Sequence, residues 1–334
     1  MFKLKRVLPA ALAALALVVS ACSSGDDGSA TRTKIETLRI GVIGSGNVLT
    51  GPLGFAHQRG ALLPALAPLG AEKIEVFSFP NGPDLNQALV GGRLDVATYG
   101  DTPALVAKGS GLQTRLLAIA AVGYNAGVVA KNPAIRTLKD LAGKKVGVQS
   151  GSYIDRYLQG ALKAEGVEAA QLIHLLSTDA EAPLTSGEID AVALPDTNPN
   201  SYLRAFLAKG FHQVDSIRDN HPTLAGTSSS VSSQPFLDTN PDFGGTWQKV
   251  LSEANKYAQD HWDEYVNYEV AQSKLPEAVV RAAAQRDYFP EDVFSERGIT
   301  LLTGTKQFLV EQKKIREDFD LQQWFYRPEQ TKKG

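Results

Sequence analysis

From Leu38 onward the chain alternates between apolar segments of strand length and segments with the helical period, and it does so twice on one plan. The first pass reads "LRIGVIG", the helical "AHQRGALLPALAPLG", "KIEVFSF", the short helix "DLNQALVGG" and "LDVATYG", followed by the apolar runs "RLLAIAAV" and "NAGVVAKN". The second pass begins after "NPAIRTLKDLAGK": "KVGVQ", the helix "SYIDRYLQGALKAEG", "LIHLL", a helix around "DAEAPLTSG", then "IDAVAL". Such alternation predicts an α/β fold with a mainly parallel sheet. Residues 92–101, "GRLDVATYGD", and 187–196, "GEIDAVALPD", repeat Gly, Asp, a small apolar run and a final Asp at the same spacing, so two lobes built alike is the economical arrangement.

After Phe211 a β-prone "GTSSSVSS" leads into a remainder of almost wholly helical pattern. The chain is expected to cross between lobes near 125–131 and to return near 227–232. Residues 38–128 and 228–334 then form lobe one and 129–227 lobe two. Two strand connections make a hinge, and the cleft between lobes is where ligands bind in such architectures.

The first residues set the compartment. "MFKLKRVLPAALAALALVVSAC" has a basic start at Lys3, Lys5 and Arg6, a short apolar core, and small residues before Cys22, as an export signal does. The apolar run is short for a membrane span and contains Pro9. Cys22 is the only cysteine, so no intrachain disulfide can form. Residues 23–37, "SSGDDGSATRTKIET", have the composition of a flexible tether. The reading is a signal over 1–21, a tether over 22–37, and a globular body outside the cytoplasmic membrane. A formal net charge of −2 on 334 residues gives no electrostatic footprint for nucleic acid.

Two turns invite a ligand. Asn81-Gly82-Pro83-Asp84 and Gly100-Asp101-Thr102-Pro103 each open a helix at a strand end. A helix start exposes N–H groups without intrahelical partners at the positive end of the dipole, and two on one sheet edge would suit an anion. The same residues also serve as ordinary caps, so both roles stand at this point.

The runs "LRIGVIGSGN", "FPNGPDLNQALVGGRLDVATYGDTPALVAKG", "VAKNPAIRTLKDLAGKKVGVQSGS" and "SGEIDAVAL" resemble the extracytoplasmic substrate-binding proteins of ABC importers, most closely the sulfonate, taurine and nitrate group. The resemblance implies a two-lobed periplasmic-binding-protein-like fold and a lipoprotein lipidated at Cys22, anchored by its lipid alone on the outer face of the cell membrane. It implies a monomer that captures a small anionic solute, an aliphatic sulfonate or taurine-like compound, for a permease and its ATPase, without catalysis, metal or cofactor. By the same resemblance Ser45, Gly46 and Asn47 form the first ligand loop, Asn81, Gly82, Gly100, Asp101 and Thr102 face the cleft from lobe one, and Gln149, Ser150, Gly151, Ser152 and Tyr153 face it from lobe two. Asp196 and Thr197 are the lobe-two counterparts of the turn at Gly100. Where sulfonate-binding relatives carry a Trp-Asp-Pro-like run, this chain reads "LPDTNPNSYL", with Tyr99, Tyr153 and Tyr157 as candidates for a substitute aromatic wall.

Other chemistries fit less well. "GSGNVLTG" lacks the G-x-G-x-x-G spacing and "IEVFSFP" lacks a terminal acid, against a dinucleotide site. Five histidines lie scattered without ligand spacing. A cysteine nucleophile is excluded if Cys22 is lipidated. Enzymes do occur on this fold, so an enzyme or sensor acting on a small sulfur- or nitrogen-containing compound is the alternative.

Overall fold

The computed structural model describes residues 34–44, 46–168 and 171–328. The export signal, Cys22 and Ser45 lie outside the described residues. The strands are β1 (Thr37–Ile43), β2 (Lys73–Phe79), β3 (Val96–Gly100), β4 (Thr114–Ala130), β5 (Lys145–Val148), β6 (Gln171–His174), β7 (Ala191–Asp196), β8 (His212–Ser216) and β9 (Gly226–Ser233). They lie in the order β2-β1-β3-β9-β4-β7-β5-β6, with β8 also beside β4. The helices that bear on the site are α1 (Gly51–Gln58), α2 (Gly82–Val90), α3 (Asp101–Gly109), α4 (Tyr153–Ala164), α5 (Tyr202–Ala208), α6 (Phe243–Asp260), α7 (Trp262–Gln272), α8 (Glu277–Ala283) and α9 (Glu296–Glu311).

The sheet is mixed, which corrects the expectation of a mainly parallel one. β1 runs parallel to β2 and β3, and β5 parallel to β6 and β7, as strand–helix–strand units require. The antiparallel pairs lie where the units meet: β9 is antiparallel to β3 and β4, so β4 runs in the direction of β3, and β4 is antiparallel to β7 and β8. "RLLAIAAV" and "NAGVVAKN" also prove to be one strand of 17 residues rather than two. Its first part pairs with β9, and its part from Asn125 to Ala130 pairs with β7 and β8. Gly123 eases the passage: its φ of 79° suits glycine, and a Cβ there would collide with the Arg297 guanidinium.

Two α/β lobes therefore share one continuous strand. In the first, α1 and α6 cover one sheet face through Leu53, Phe243, Trp247 and Leu251, while α2, α3 and α9 cover the other through Leu85, Leu105 and Leu302. That second core runs on into Leu158 and Ala161 of α4 in the other lobe. Among the described residues, no helix is long and apolar enough to cross a membrane.

The quasi-repeat has a structural basis. Asp95 precedes β3 and accepts the Arg39 N–H of β1 at 2.7 Å; Asp190 precedes β7 and accepts the Lys145 N–H of β5 at 2.9 Å. Each aspartate fastens the start of the neighbouring parallel strand. The two sheet units are thus set by the same device.

Candidate ligand cleft

Because β1, β2 and β3 are parallel, the loops after them open on one edge of the first lobe. Asn47 is tied there by two hydrogen bonds: its N–H donates to Ser78 Oγ and its Oδ1 accepts from the Ser78 N–H, both at 2.9 Å. Gly46 and Asn47 both have positive φ, which bends the loop back toward β2. Asn81 caps α2, accepting the Asp84 N–H at 2.9 Å. Gly82 is buried, and a Cβ there would collide with Pro103 of α3. The missing side chain thus serves the close approach of α2 and α3, not space for a ligand. Tyr99 reinforces that approach, donating to Asn86 Oδ1 at 2.6 Å while Asn86 donates to the Pro103 carbonyl at 3.2 Å.

The start of α3 differs from that of α2. Its N-cap is Gly100, which offers no side chain to the first-turn N–H groups. Asp101 points away from that role. Fully buried, its Oδ2 accepts from the Thr227 N–H (3.0 Å), the Thr227 hydroxyl (3.1 Å) and the Thr305 hydroxyl (3.3 Å), and Arg156 of α4 lies 3.9 Å away. Thr102 donates to Asp101 Oδ1 at 2.9 Å. The helix start after β1 is likewise without a side-chain cap, at Thr50 before α1. These uncapped starts follow β1 and β3, which are neighbours in the sheet.

The turn at 149–152 in the second lobe is held by side chains of the second lobe itself. Gly151 N–H donates to Asp155 Oδ2 (2.8 Å), Ser150 N–H to His174 Nδ1 (3.2 Å), and Asp155 N–H to Ser152 Oγ (3.3 Å). The Ser152 hydroxyl donates to the Gln149 carbonyl at 2.6 Å. Asp196 is buried and paired, with Arg204 Nε at 2.8 Å and Asn125 Nδ2 at 3.0 Å. Tyr157 is buried and donates to Asp215 at 2.5 Å, so of the three wall candidates neither Tyr99 nor Tyr157 faces the cleft.

Tyr153 does stand where the lobes meet. Its hydroxyl donates to the Asn125 carbonyl at 3.0 Å, and its ring lies 6.1 Å from that of Tyr124, which meets Tyr288 edge-on at 5.6 Å. Tyr288 in turn accepts from Arg218 at 3.0 Å, and Asn198 donates to the Val280 carbonyl of α8 at 3.0 Å, so the lobes touch across the slit. The slit is narrow, about 10 Å³, and is lined by Tyr124, Thr197, Asn198, Tyr265, Gln285 and Tyr288 among others. Burial pushes the Tyr124 and Tyr153 hydroxyls well up, so both remain donors. Behind this wall sits Glu269 of α7, fully buried. Burial raises its carboxyl to about 7, against the opposing pull of the Tyr265 hydroxyl and the Gly51 N–H.

A second cavity, about 130 Å³, lies on the far side of Asn125, with Asp196, Arg204, Gln213, Ser216, Arg218 and Asp219 on its wall. Its two arginines face two aspartates, so it carries no net charge. Tyr124, Tyr265, Glu269 and Tyr288 were not singled out by sequence. The only available signal was a carboxylate four residues after Tyr265 on the buried side of an otherwise amphipathic helix.

A family model described as NMT1/THI5 like matches residues 73–265. A curated relative from Escherichia coli (strain K12), whose name assigns it provisionally to aliphatic sulfonate binding, is 27% identical over 265 residues, 77% of this chain and 81% of its own. The solved periplasmic aliphatic sulphonate binding protein SsuA from Escherichia coli has a TM-score of 0.67 at 25% identity, covering 87% of this chain and 97% of that one. The desulfurization enzyme DSZB shares the fold with a TM-score of 0.65 at 18% identity, over 87% of this chain and 96% of its own. The first two agree with the resemblance carried by residues 81–103, and the third shows that the fold alone does not separate binding from catalysis. With more than half of its length matched by the family model, the chain belongs to the NMT1/THI5-like family.

Proposed function

We propose that this protein is the solute-binding component of an ABC importer, capturing an aliphatic sulfonate or taurine-like solute between its lobes and delivering it to a membrane permease. The likeness to sulfonate-binding proteins over most of the chain carries this reading. The uncapped start of α3 supports it: N–H groups at the positive end of a helix are suited to an oxyanion. In this reading Gly100 to Thr102 hold the sulfonate through backbone groups, the loop at Gly46 and Asn47 flanks it, and Tyr153 and Thr197 close over it from the second lobe. The lobes divide at 128/129 and 227/228. Gln149 to Ser152, tied to Asp155 and His174, position Tyr153.

Export and lipidation at Cys22 complete the proposal: the protein works as a monomer outside the membrane, held by its acyl chains, and returns the solute unchanged. The test is thermal unfolding of the mature domain with ethanesulfonate, sulfate, nitrate and a pyrimidine. A sulfonate at a hundred times its dissociation constant should add about 2.7 kcal/mol of stability. Stabilisation by nitrate or a pyrimidine alone would overturn the sulfonate assignment, and turnover of the sulfonate at catalytic amounts of protein would favour the enzyme alternative.

A further inference from the structure

The tyrosines around the slit differ in what their hydroxyls do. Tyr153 donates to the Asn125 carbonyl and Tyr268 to the Leu49 carbonyl, Tyr288 accepts from Arg218, and Tyr265 leans toward Glu269. Tyr124 is the exception. It is half-buried, and among the described residues no carbonyl or carboxylate takes its proton; neither oxygen of Glu269 behind it accepts a hydrogen bond. The group that meets its hydroxyl is another hydroxyl, that of Ser228 on β9.

An irregularity in β4 aims this side chain. The β4–β9 register shifts between Val122 and Tyr124, and Gly123 between them has a φ of 79°. A break of this kind re-aims the residue beside it, and such breaks gather next to functional sites. Here it leaves Tyr124 lining the slit together with Thr197 and Asn198 of the second lobe. On β9 the partner of Tyr124 is Gly226, two residues before Ser228, and Ser228 is in turn the register partner of Gly100, the N-cap of α3. The neighbours Gly100, Ser228 and Tyr124 thus lead from the bare start of α3 into the slit.

A sulfonate carries three oxygens set tetrahedrally about sulfur. The N–H groups of one helix start approach it from one side and leave an oxygen for another donor. We infer that Tyr124 is a binding residue whose hydroxyl, oriented by Ser228, donates to that third oxygen, and that this contact selects a sulfonate over anions with two oxygens. The inference rests on the sulfonate reading above. A hydroxyl donating to a charged oxygen makes a strong hydrogen bond, whereas a donor left without an acceptor in a closed cleft is costly. A two-oxygen anion at the same helix start incurs that cost. The ring contacts to Tyr153 and Tyr288 hold Tyr124 in place whichever anion is bound.

The experiment is calorimetric titration of the mature protein with ethanesulfonate and with ethanesulfinate, which differ by one oxygen. The wild type should bind the sulfonate about tenfold or more tightly, the factor that one hydrogen bond to a charged group supplies. Tyr124→Phe keeps the ring, so its thermal unfolding without ligand should stay close to that of the wild type. Its affinity for the sulfonate should fall to near that for the sulfinate, with the sulfinate affinity unchanged. Equal affinities in the wild type, full sulfonate affinity in Tyr124→Phe, or an equal loss for both ligands would overturn the inference while leaving the sulfonate reading in place. Binding of neither ligand by folded wild type would overturn both. A crystal structure of the wild type with ethanesulfonate decides the matter even if the variant fails to fold. It should show a sulfonate oxygen within about 3 Å of Tyr124 Oη, and any other acceptor for that hydroxyl would overturn the inference.

Discussion

The two strand–turn junctions at 92–101 and 187–196 begin alike and end differently. Asp95 and Asp190 do the same work, each holding the N–H that starts the neighbouring strand. At the other end the junctions part. After Asp101 the chain enters α3 at once, and the aspartate turns inward to threonine hydroxyls, leaving the helix start bare. After Asp196 the chain makes a bridged turn between Thr197 and Asn200 before α5, and the aspartate takes an arginine and an asparagine. The first lobe thus presents an uncapped helix start directly after its strand, where the second interposes a bridged turn before α5, whose start also has no side-chain cap. The repeat is architectural, and the proposed anion site lies in the asymmetry laid over it.

The largest expected effect breaks the comparison at its aspartates. Asp101→Ala leaves Arg156 buried without its counter-charge and removes an acceptor from three threonine hydroxyls, so it should cost roughly 3–5 kcal/mol of stability. Asp196→Ala leaves an arginine still partly in water, and should cost less, about 1–3 kcal/mol. Urea unfolding of both variants checks the order; a larger loss at Asp196 would contradict it.

Next in size is a pH effect from Glu269. Its folded carboxyl titrates at about 7 against 4.5 for the ordinary group, so the native state holds a proton that the unfolded chain gives up. Stability from this group is therefore full below 4.5, declines as pH rises through 7, and is flat above. The loss should be on the order of 3 kcal/mol for a buried group shifted this far. Comparing pH 5 with pH 8 in unliganded wild type and Glu269→Gln isolates it: the variant should lose that share of the pH dependence.

Gly82→Val should cost about 1–3 kcal/mol, because the new side chain meets Pro103 and forces α2 from α3. Part of that cost should reach ligand affinity, since the displaced element is the start of α3. The smallest effect belongs to the second lobe. Ser152→Ala removes the α4 cap and should cost about 1 kcal/mol of stability, with little change in affinity for ethanesulfonate. A larger loss of affinity in Ser152→Ala than in Gly82→Val, titrated on folded protein, would reverse the division of labour between the lobes.

Much of this architecture was legible in the sequence because it is local. Helix starts at Asn81 and Ser152, and the Gly–Asp junctions, follow from capping and turn chemistry within a few residues. The unity of β4 was not legible: Gly123 and Asn125 read as a break between two apolar runs, and only pairing with β9 and β7 shows that the strand continues. The tyrosine wall was hidden for a related reason. Tyr124, Tyr153 and Tyr288 come from three distant stretches, and in sequence each is indistinguishable from a tyrosine that merely packs, as Tyr99 and Tyr157 do. Nor does a helical pattern tell Glu264 from Glu269, although the first lies on the exposed side of α7 and the second is fully buried.

The central claim is that the anion is held by the bare start of α3 in the cleft. A crystal structure of the mature domain grown with 2-aminoethanesulfonate tests it directly. The account places sulfonate oxygens within about 3.2 Å of the first-turn N–H groups around Thr102 and Ala104. A sulfonate seated instead beside Arg204 and Arg218, in the cavity beyond Asn125, would contradict it.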